Sequence, residues 1–293
     1  MSLTGFLDRI ADAAALDKYI DPVRDAVQRS LPQPVLNALH GTWLGHPVHP
    51  VTIHVPVGSW LSAGVLDLVP AFRPAATVLI ATGVAGAVPA SLTGAADWSA
   101  QGAGVRRLGA LHAAMNYAAL GFYAGSLVAR RRGRGTLGLV LSYTGLTIAT
   151  GSAAVGGHMS YAQSSGVSHS TTAARALTTD WIDLGPLDDL PEGRPTLRTG
   201  SAAGVDVPLA AVRRGTRVDA FVGACSHMSG PLHEGKLEDV HGRSCLVCPW
   251  HGSAFDLDSG DALRGPAGNG QERLEVRMEA GRVMARLPDR YRE

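Results

Sequence analysis

Three cysteines occur in the chain, and Cys225, Cys245 and Cys248 all fall within a stretch of 24 residues. Two of them have a histidine close by: Cys225-Ser226-His227 and then, after twenty intervening residues, Cys248-Pro249-Trp250-His251. An odd, clustered set in a chain otherwise free of cysteine is a poor disulfide framework and a good ligand set. Thiolate and imidazole are donors for zinc and for iron. Structural zinc sites group like with like, a pair of cysteines followed by a pair of histidines. Here each loop instead supplies one of each. That division suits a two-iron cluster in which one iron takes both thiolates and the other both imidazoles. Spacing favours the cluster and leaves zinc open. Cys245 lies between the two motifs and reads as a buried thiol, while His233 and His241 read as surface residues.

The loops need a rigid frame, and the surrounding sequence predicts one of strands. Short alternating runs at Val205–Leu209, Arg217–Val222, Leu274–Met278 and Val283–Leu287 describe a small antiparallel β domain with the loops at one tip. The segment Glu-Asp-Val-His-Gly-Arg-Ser, 238–244, predicts a long hairpin between the two motifs. Gly230, Gly252 and Gly260 mark places where backbone turns tightly.

A family resemblance follows from these strings. WIDLGPLDDLPEGRP, CSHMSGPLHEGKL and CPWHGSAFDLDSGDALRGPA, spread over about 181–290, are similar to the Rieske [2Fe–2S] family. The resemblance implies that Cys225 and Cys248 ligate one iron and His227 and His251 the other. It also implies that the Gly265–Pro266 turn is the third loop covering the cluster. Two departures are visible. Quinol-oxidising members carry a further cysteine in each loop, joined as a disulfide, and the matching positions here are Gly230 and Trp250. Ser253 matches the serine that hydrogen-bonds the cluster, but Phe255 stands in place of the tyrosine hydroxyl. An intermediate reduction potential is expected.

The first half of the chain is of another kind. Ile53–Val69, Ala75–Ala96, Leu108–Ala129 and Thr136–Gly157 are apolar and free of lysine and arginine except at their margins. Each approaches the ~20 residues needed to cross ~30 Å of hydrocarbon. Four transmembrane helices are therefore expected, with Gly121 and Gly125 as a small-residue packing pattern. Before them, apolar residues at helical spacing, broken by Pro22, Pro32 and Pro34, predict two short amphipathic helices. His46, His49, His54, Asp97, His112, Asn116 and His158 all fall toward one side of the expected bundle, the side from which the β domain emerges. His54, His112 and His158 are candidates for haem b, metal or quinone binding; as plain interfacial histidines they would cap helix ends. GHPVHPVTIHVPVGSWLSAGVLDL, SLTGAADW, LHAAMNY and GGHMSYAQSSGV resemble the DUF2231 family of four-helix membrane proteins over about 46–167. That resemblance supports the spans and adds no chemistry.

The expected architecture is an all-α four-helix transmembrane bundle joined to an all-β Rieske domain. Its parts are an amphipathic segment 1–45, the bundle 46–158, a linker 159–180 and the cluster domain 181–290. The formal net charge of +1 gives no field to attract nucleic acid. The expected function is a multi-pass integral protein of the cell membrane that carries single electrons between a membrane donor and a redox partner protein or quinone, with lipid around its helices. A quinol-oxidising or haem-linked subunit and a redox sensor are the alternatives. A terminal oxygenase would need a further mononuclear iron site, and no histidine follows His251. Arg73, Arg130, Arg131, Arg132 and Arg134 gather on the side opposite the β domain, which leans that domain outward.

Overall fold

The computed structural model describes residues 3–177, 180–202 and 205–288. The chain divides into two compact units: Met1–Leu31 with Val48–Ser165, and Pro32–Pro47 with Gly166–Glu293. The expected ends of the linker and of the β domain touch residues 178, 179, 289 and 290, which lie outside the described residues. In chain order the helices are α1 (Leu3–Ala11), α2 (Asp17–Ser30), α3 (Gln33–His40), α4 (His49–Thr52), α5 (His54–Asp67), α6 (Arg73–Ser99), α7 (Ala103–Arg131), α8 (Gly135–Tyr161) and α9 (His169–Ala174).

In the first unit, α5 to α8 occupy the four expected spans. Two of the four are long and apolar enough to cross a membrane: 70–99, which includes α6, with a mean hydropathy of 1.7, and α8 with 1.3. Only 28% of each apolar window is buried, whereas the core helix of a soluble domain is covered nearly all round. Leu61, Val65, Val78, Val88, Leu92 and Val140 accordingly face outward. The other two helices fall short for different reasons. At about 1.5 Å per residue, α5 spans only about 21 Å. The turn Arg106–Leu111 and the polar His112 and Asn116 dilute the first half of α7.

Three arginines of this unit are paired with aspartates inside it. Arg130 of α7 donates to Asp67 of α5 at 2.9 Å, with side chains 8% and 0% exposed. Arg107 forks onto Asp17 at 2.8 and 2.6 Å, and Arg106 reaches Asp21 at 3.1 Å, which fastens α2 to the start of α7. Leu7 of α1 is buried with Leu108 and Val155. The amphipathic leader thus docks on protein. Pro22 does not break α2, because its missing N–H frees only a carbonyl near the helix start. The small-residue expectation is corrected: a side chain at Gly121 would meet open space. The close approach of α7 and α8 lies at Gly145, where a Cβ would stand 3.2 Å from the Ala119 carbonyl.

The second unit holds the strands β1 (Ile182–Pro186), β2 (Pro195–Ala202), β3 (Val205–Arg214), β4 (Arg217–Val222), β5 (Lys236–Val240), β6 (Arg243–Val247), β7 (Ala254–Asp256), β8 (Ala262–Arg264), β9 (Arg273–Glu279) and β10 (Arg282–Arg286). They form an antiparallel six-stranded sheet, β1-β10-β9-β4-β3-β2, and a four-stranded one, β5-β6-β7-β8. The expected hairpin is present. Val240 pairs with Arg243 across His241 and Gly242, both at positive φ (55° and 77°), as a two-residue type I′ turn requires. One apolar core lies on the larger sheet around Leu209, Val222 and Leu274; a second gathers Phe221, Leu232, Leu246 and Phe255 with Cys225 and Cys248. The smaller sheet is therefore the base of the candidate site. Unexpectedly, Pro32–Pro47, including α3, belongs to this unit.

Candidate metal centre

The two motifs sit in loops of similar build. The first, between β4 and β5, carries Cys225 and His227; the second, between β6 and β7, carries Cys248 and His251. Cys225 donates its N–H to Gly230 at a distance of 2.9 Å, which closes the first loop, and Cys248 donates to Ser253 at 2.9 Å, which closes the second. Each sulfur then faces the backbone N–H groups two and three residues on: His227 and Met228 for Cys225, Trp250 and His251 for Cys248. Such donors stabilise thiolate charge. The two thiols share a hydrogen bond. Cys225 is raised by it and by burial, while Cys248, which accepts it, is pushed down to about 6.

The histidines converge in the same way. Their rings lie 5.1 Å apart at 89°. Burial, with the neighbouring rings of His251, His40 and His169, pushes the His227 imidazole down to about 3, so it is neutral as a ligand must be. Its Nδ1 is buried with no hydrogen-bond partner, an orphaned acceptor or donor of the kind a metal satisfies. His251 and Trp250 are exposed. Among the described residues, no three of His, Cys, Asp and Glu converge on one point where a single ion would sit.

A third loop, 265–272, runs from β8 to β9 and is bonded to both others. Ala267 donates its N–H to Ser253 Oγ at 3.0 Å, Ser226 Oγ donates to the Asn269 carbonyl at 3.1 Å, and Ser226 N–H reaches Gln271 Oε1 at 2.8 Å. Ala267 packs in the core that holds both cysteines. At Gly230 a Cβ would stand 2.7 Å from Cys248 Sγ and 3.3 Å from the Trp250 ring. Backbone and indole fill this side of the site. Phe255 is fully buried.

Comparison with known proteins agrees with this geometry. Residues 180–275 match the Rieske [2Fe–2S] domain family, and residues 45–169 match the family described as predicted membrane protein (DUF2231). The ferredoxin component of naphthalene 1,2-dioxygenase/salicylate 5-hydroxylase systems from Ralstonia sp is 32% identical over 114 residues, 38% of this chain and 99% of that protein. The chain belongs to the Rieske [2Fe–2S] family. The 3-phenylpropionate/cinnamic acid dioxygenase ferredoxin subunit of Escherichia coli (strain K12) is similar to its Rieske domain at 32% identity over 104 residues, 36% of this chain and 91% of that one. A Rieske domain-containing protein of Homo sapiens is 51% identical over 39 residues, 13% of this chain and a quarter (25%) of its own length. Among solved structures, a chain from the complex of reduced oxygenase and oxidized ferredoxin in carbazole 1,9a-dioxygenase aligns at 28% identity and a TM-score of 0.32, over 37% of this chain and 94% of that one. A Rieske domain implies a [2Fe–2S] cluster, and this is an electron-transfer iron–sulfur protein.

Cys245 stays apart from the centre. It is buried in a different cluster with Val240 and Val247, and burial beside Asp256 pushes its thiol up to about 11. His241 is exposed in the hairpin turn. The candidate histidines of the helical unit have separate surroundings. His54 is exposed and reaches only the Val51 carbonyl at 3.3 Å. His49 takes the interior place, bonded to the Ala90 carbonyl at 2.9 Å and Thr93 Oγ at 3.3 Å. Both ring nitrogens of His112 are engaged, Nδ1 with Ser152 at 2.8 Å and Nε2 with Asn116 at 3.0 Å. His158 faces Asp8 at 3.8 Å. The signal that separates His49 from His54 is a contact with α6, 41 positions away, which local spacing does not contain.

Proposed function

We propose that this protein is a membrane-anchored one-electron carrier. In this reading Cys225, His227, Cys248 and His251 are the ligands of the [2Fe–2S] cluster, the thiolates on one iron and the imidazoles on the other. The cluster supplies a reversible one-electron couple. The chain's own residues do the rest. Amides 227, 228, 250 and 251 neutralise charge on the ligand sulfurs, Ser253 ties the covering loop to the second ligand loop, and exposed Trp250 and His251 offer the surface through which the electron passes. One electron enters from a reduced donor and one leaves to an oxidised acceptor protein. The observation that carries the reading is the orphaned, buried Nδ1 of His227 beside two buried thiols that share a hydrogen bond.

The helical unit is the anchor, crossing the cell membrane more than once. Its support is the match to a membrane family, the outward apolar faces of α5 to α8, and the low burial of the two most apolar helices. The donor in this reading is a membrane hydroquinone or a reduced flavoprotein, and the acceptor is a soluble redox protein. Isolated membranes containing the full-length protein test both parts. The cluster absorbance should bleach on adding a hydroquinone or a reduced flavoprotein and return with an oxidised acceptor protein. It should also remain in the membrane after alkaline carbonate washing. Release by carbonate would contradict the anchor; a cluster that neither donor class reduces would contradict the carrier.

A further inference from the structure

We infer that Asn37 and His40 are positioning residues of the iron–sulfur centre, bracing its covering loop from outside the Rieske domain. The inference rests on the ligand set proposed above. Both residues lie on α3, and the segment matched to the Rieske family begins at residue 180. Asn37 Oδ1 accepts the N–H of Gly265 at 3.0 Å, and its Nδ2 donates to the Leu263 carbonyl at 3.4 Å. One side-chain amide therefore holds both backbone groups at the entry to the covering loop. His40 is 4% exposed. A Cβ on Gly265 would stand 2.8 Å from its ring, and one on Gly268 would stand 2.5 Å from its carbonyl and 3.0 Å from Pro47 N. The loop has glycine at both places where the segment 37–47 leans on it.

The inner side of the same loop is tied to both ligand loops, through Ala267 to Ser253 and through Asn269 to Ser226. Ser226 lies between Cys225 and His227, and Ser253 follows His251 by two positions. Movement of 263–268 away from the ligands is opposed on the inner side by those two neutral hydrogen bonds and by Arg264, which donates to the Gly252 carbonyl at 3.0 Å and to Glu238 at 2.6 Å. The brace closes the outer side. Without it the loop lifts, water reaches the centre, and the more negative reduced state is better solvated. Loss of the brace therefore raises the reduction potential and speeds loss of iron.

The test uses the full chain in detergent, as wild type, Asn37→Ala, His40→Ala and His40→Phe. Release of iron to a chelator, the midpoint of a reductive titration and the melting temperature are measured on each. Both alanine variants should release iron several-fold faster and titrate at a higher midpoint, while His40→Phe, which keeps a ring against Gly265, stays near wild type. Alanine variants that keep the wild-type release rate and midpoint, whatever their melting temperature, overturn the brace. Hydrogen exchange on the wild type covers the case of unfolded variants: the Gly265 and Ala267 amides should be slow, and free exchange at both overturns the proposal. A wild-type chain that holds no iron and sulfide overturns the ligand set and this inference with it, a result distinct from intact cluster with indifferent variants.

Discussion

His227 and His251, on different loops, meet edge to face with ring centroids 5.1 Å apart. The neighbouring His251 ring adds to burial in pushing His227 toward its neutral form. In the proposed ligand set both histidines hold the same iron, and replacing either by alanine would take a ligand from it. Each single variant should lose most of its iron and sulfide together, with the loss of the visible absorbance, while the strands of the β unit still form. Iron and sulfide analysis with far-ultraviolet circular dichroism checks both halves of that outcome.

A second prediction concerns the frame beneath the loops. Asp219 of β4 is fully buried and meets Arg214 at 2.7 Å, Arg217 at 3.1 Å and Arg273 at 3.0 Å. Removing one partner of a buried ion pair leaves charge without compensation, at a cost of about 3–5 kcal/mol. The three arginines are 28%, 52% and 32% exposed and can turn to water, so Asp219→Asn should fall near the low end, about 3 kcal/mol. Urea denaturation followed by cluster absorbance measures it.

Acid should loosen the second ligand loop at a definite point. Arg264 donates to Glu238 at 2.6 Å and to the Gly252 carbonyl at 3.0 Å. Its hydrogen bond, with that of Lys236, holds the Glu238 carboxyl down to about 2, against an ordinary 4.5. A depressed carboxylate stabilises the fold fully above its unfolded pKa and loses that contribution as pH falls from there toward the folded one. The stability difference between wild type and Glu238→Gln should therefore be constant above about pH 5 and shrink steadily below it. A difference that grows on acidification has the wrong sign.

In the helical unit, Asp67 and Arg130 should act as one element. Arg130→Ala strands a fully buried carboxylate and should destabilise the unit by about 3–5 kcal/mol. The double variant Asp67→Ala/Arg130→Ala should cost less than the sum of the singles, by an interaction energy of about 1–3 kcal/mol. Thermal unfolding in detergent of the four proteins in the cycle gives the number.

How much of this was legible in the sequence follows from the range of each interaction. The two candidate ligand loops, the hairpin at 238–244 and the strands around Arg217 and Leu274 were legible because Cys-x-His, Cys-x-x-His and alternation are local signals. The interior place of His49, the Asp67–Arg130 pair and the docking of α2 through Arg107 were not. Each depends on a partner 41, 63 or 90 positions away. Asn37 is the extreme case: its partner Gly265 lies 228 positions on. Gly121 misled for the opposite reason, since a small-residue pattern shows that a close approach is allowed and not that a neighbour comes there.

The most direct test of the whole account is metal and sulfide analysis with low-temperature electron paramagnetic resonance on the reduced, full-length protein. The account predicts about two irons and two sulfides per chain and the spectrum of a cluster with mixed sulfur and nitrogen ligation, lost when His227 and His251 are both replaced. Protein prepared with ample iron and sulfide that holds only zinc, or whose spectrum survives the double replacement, would contradict it.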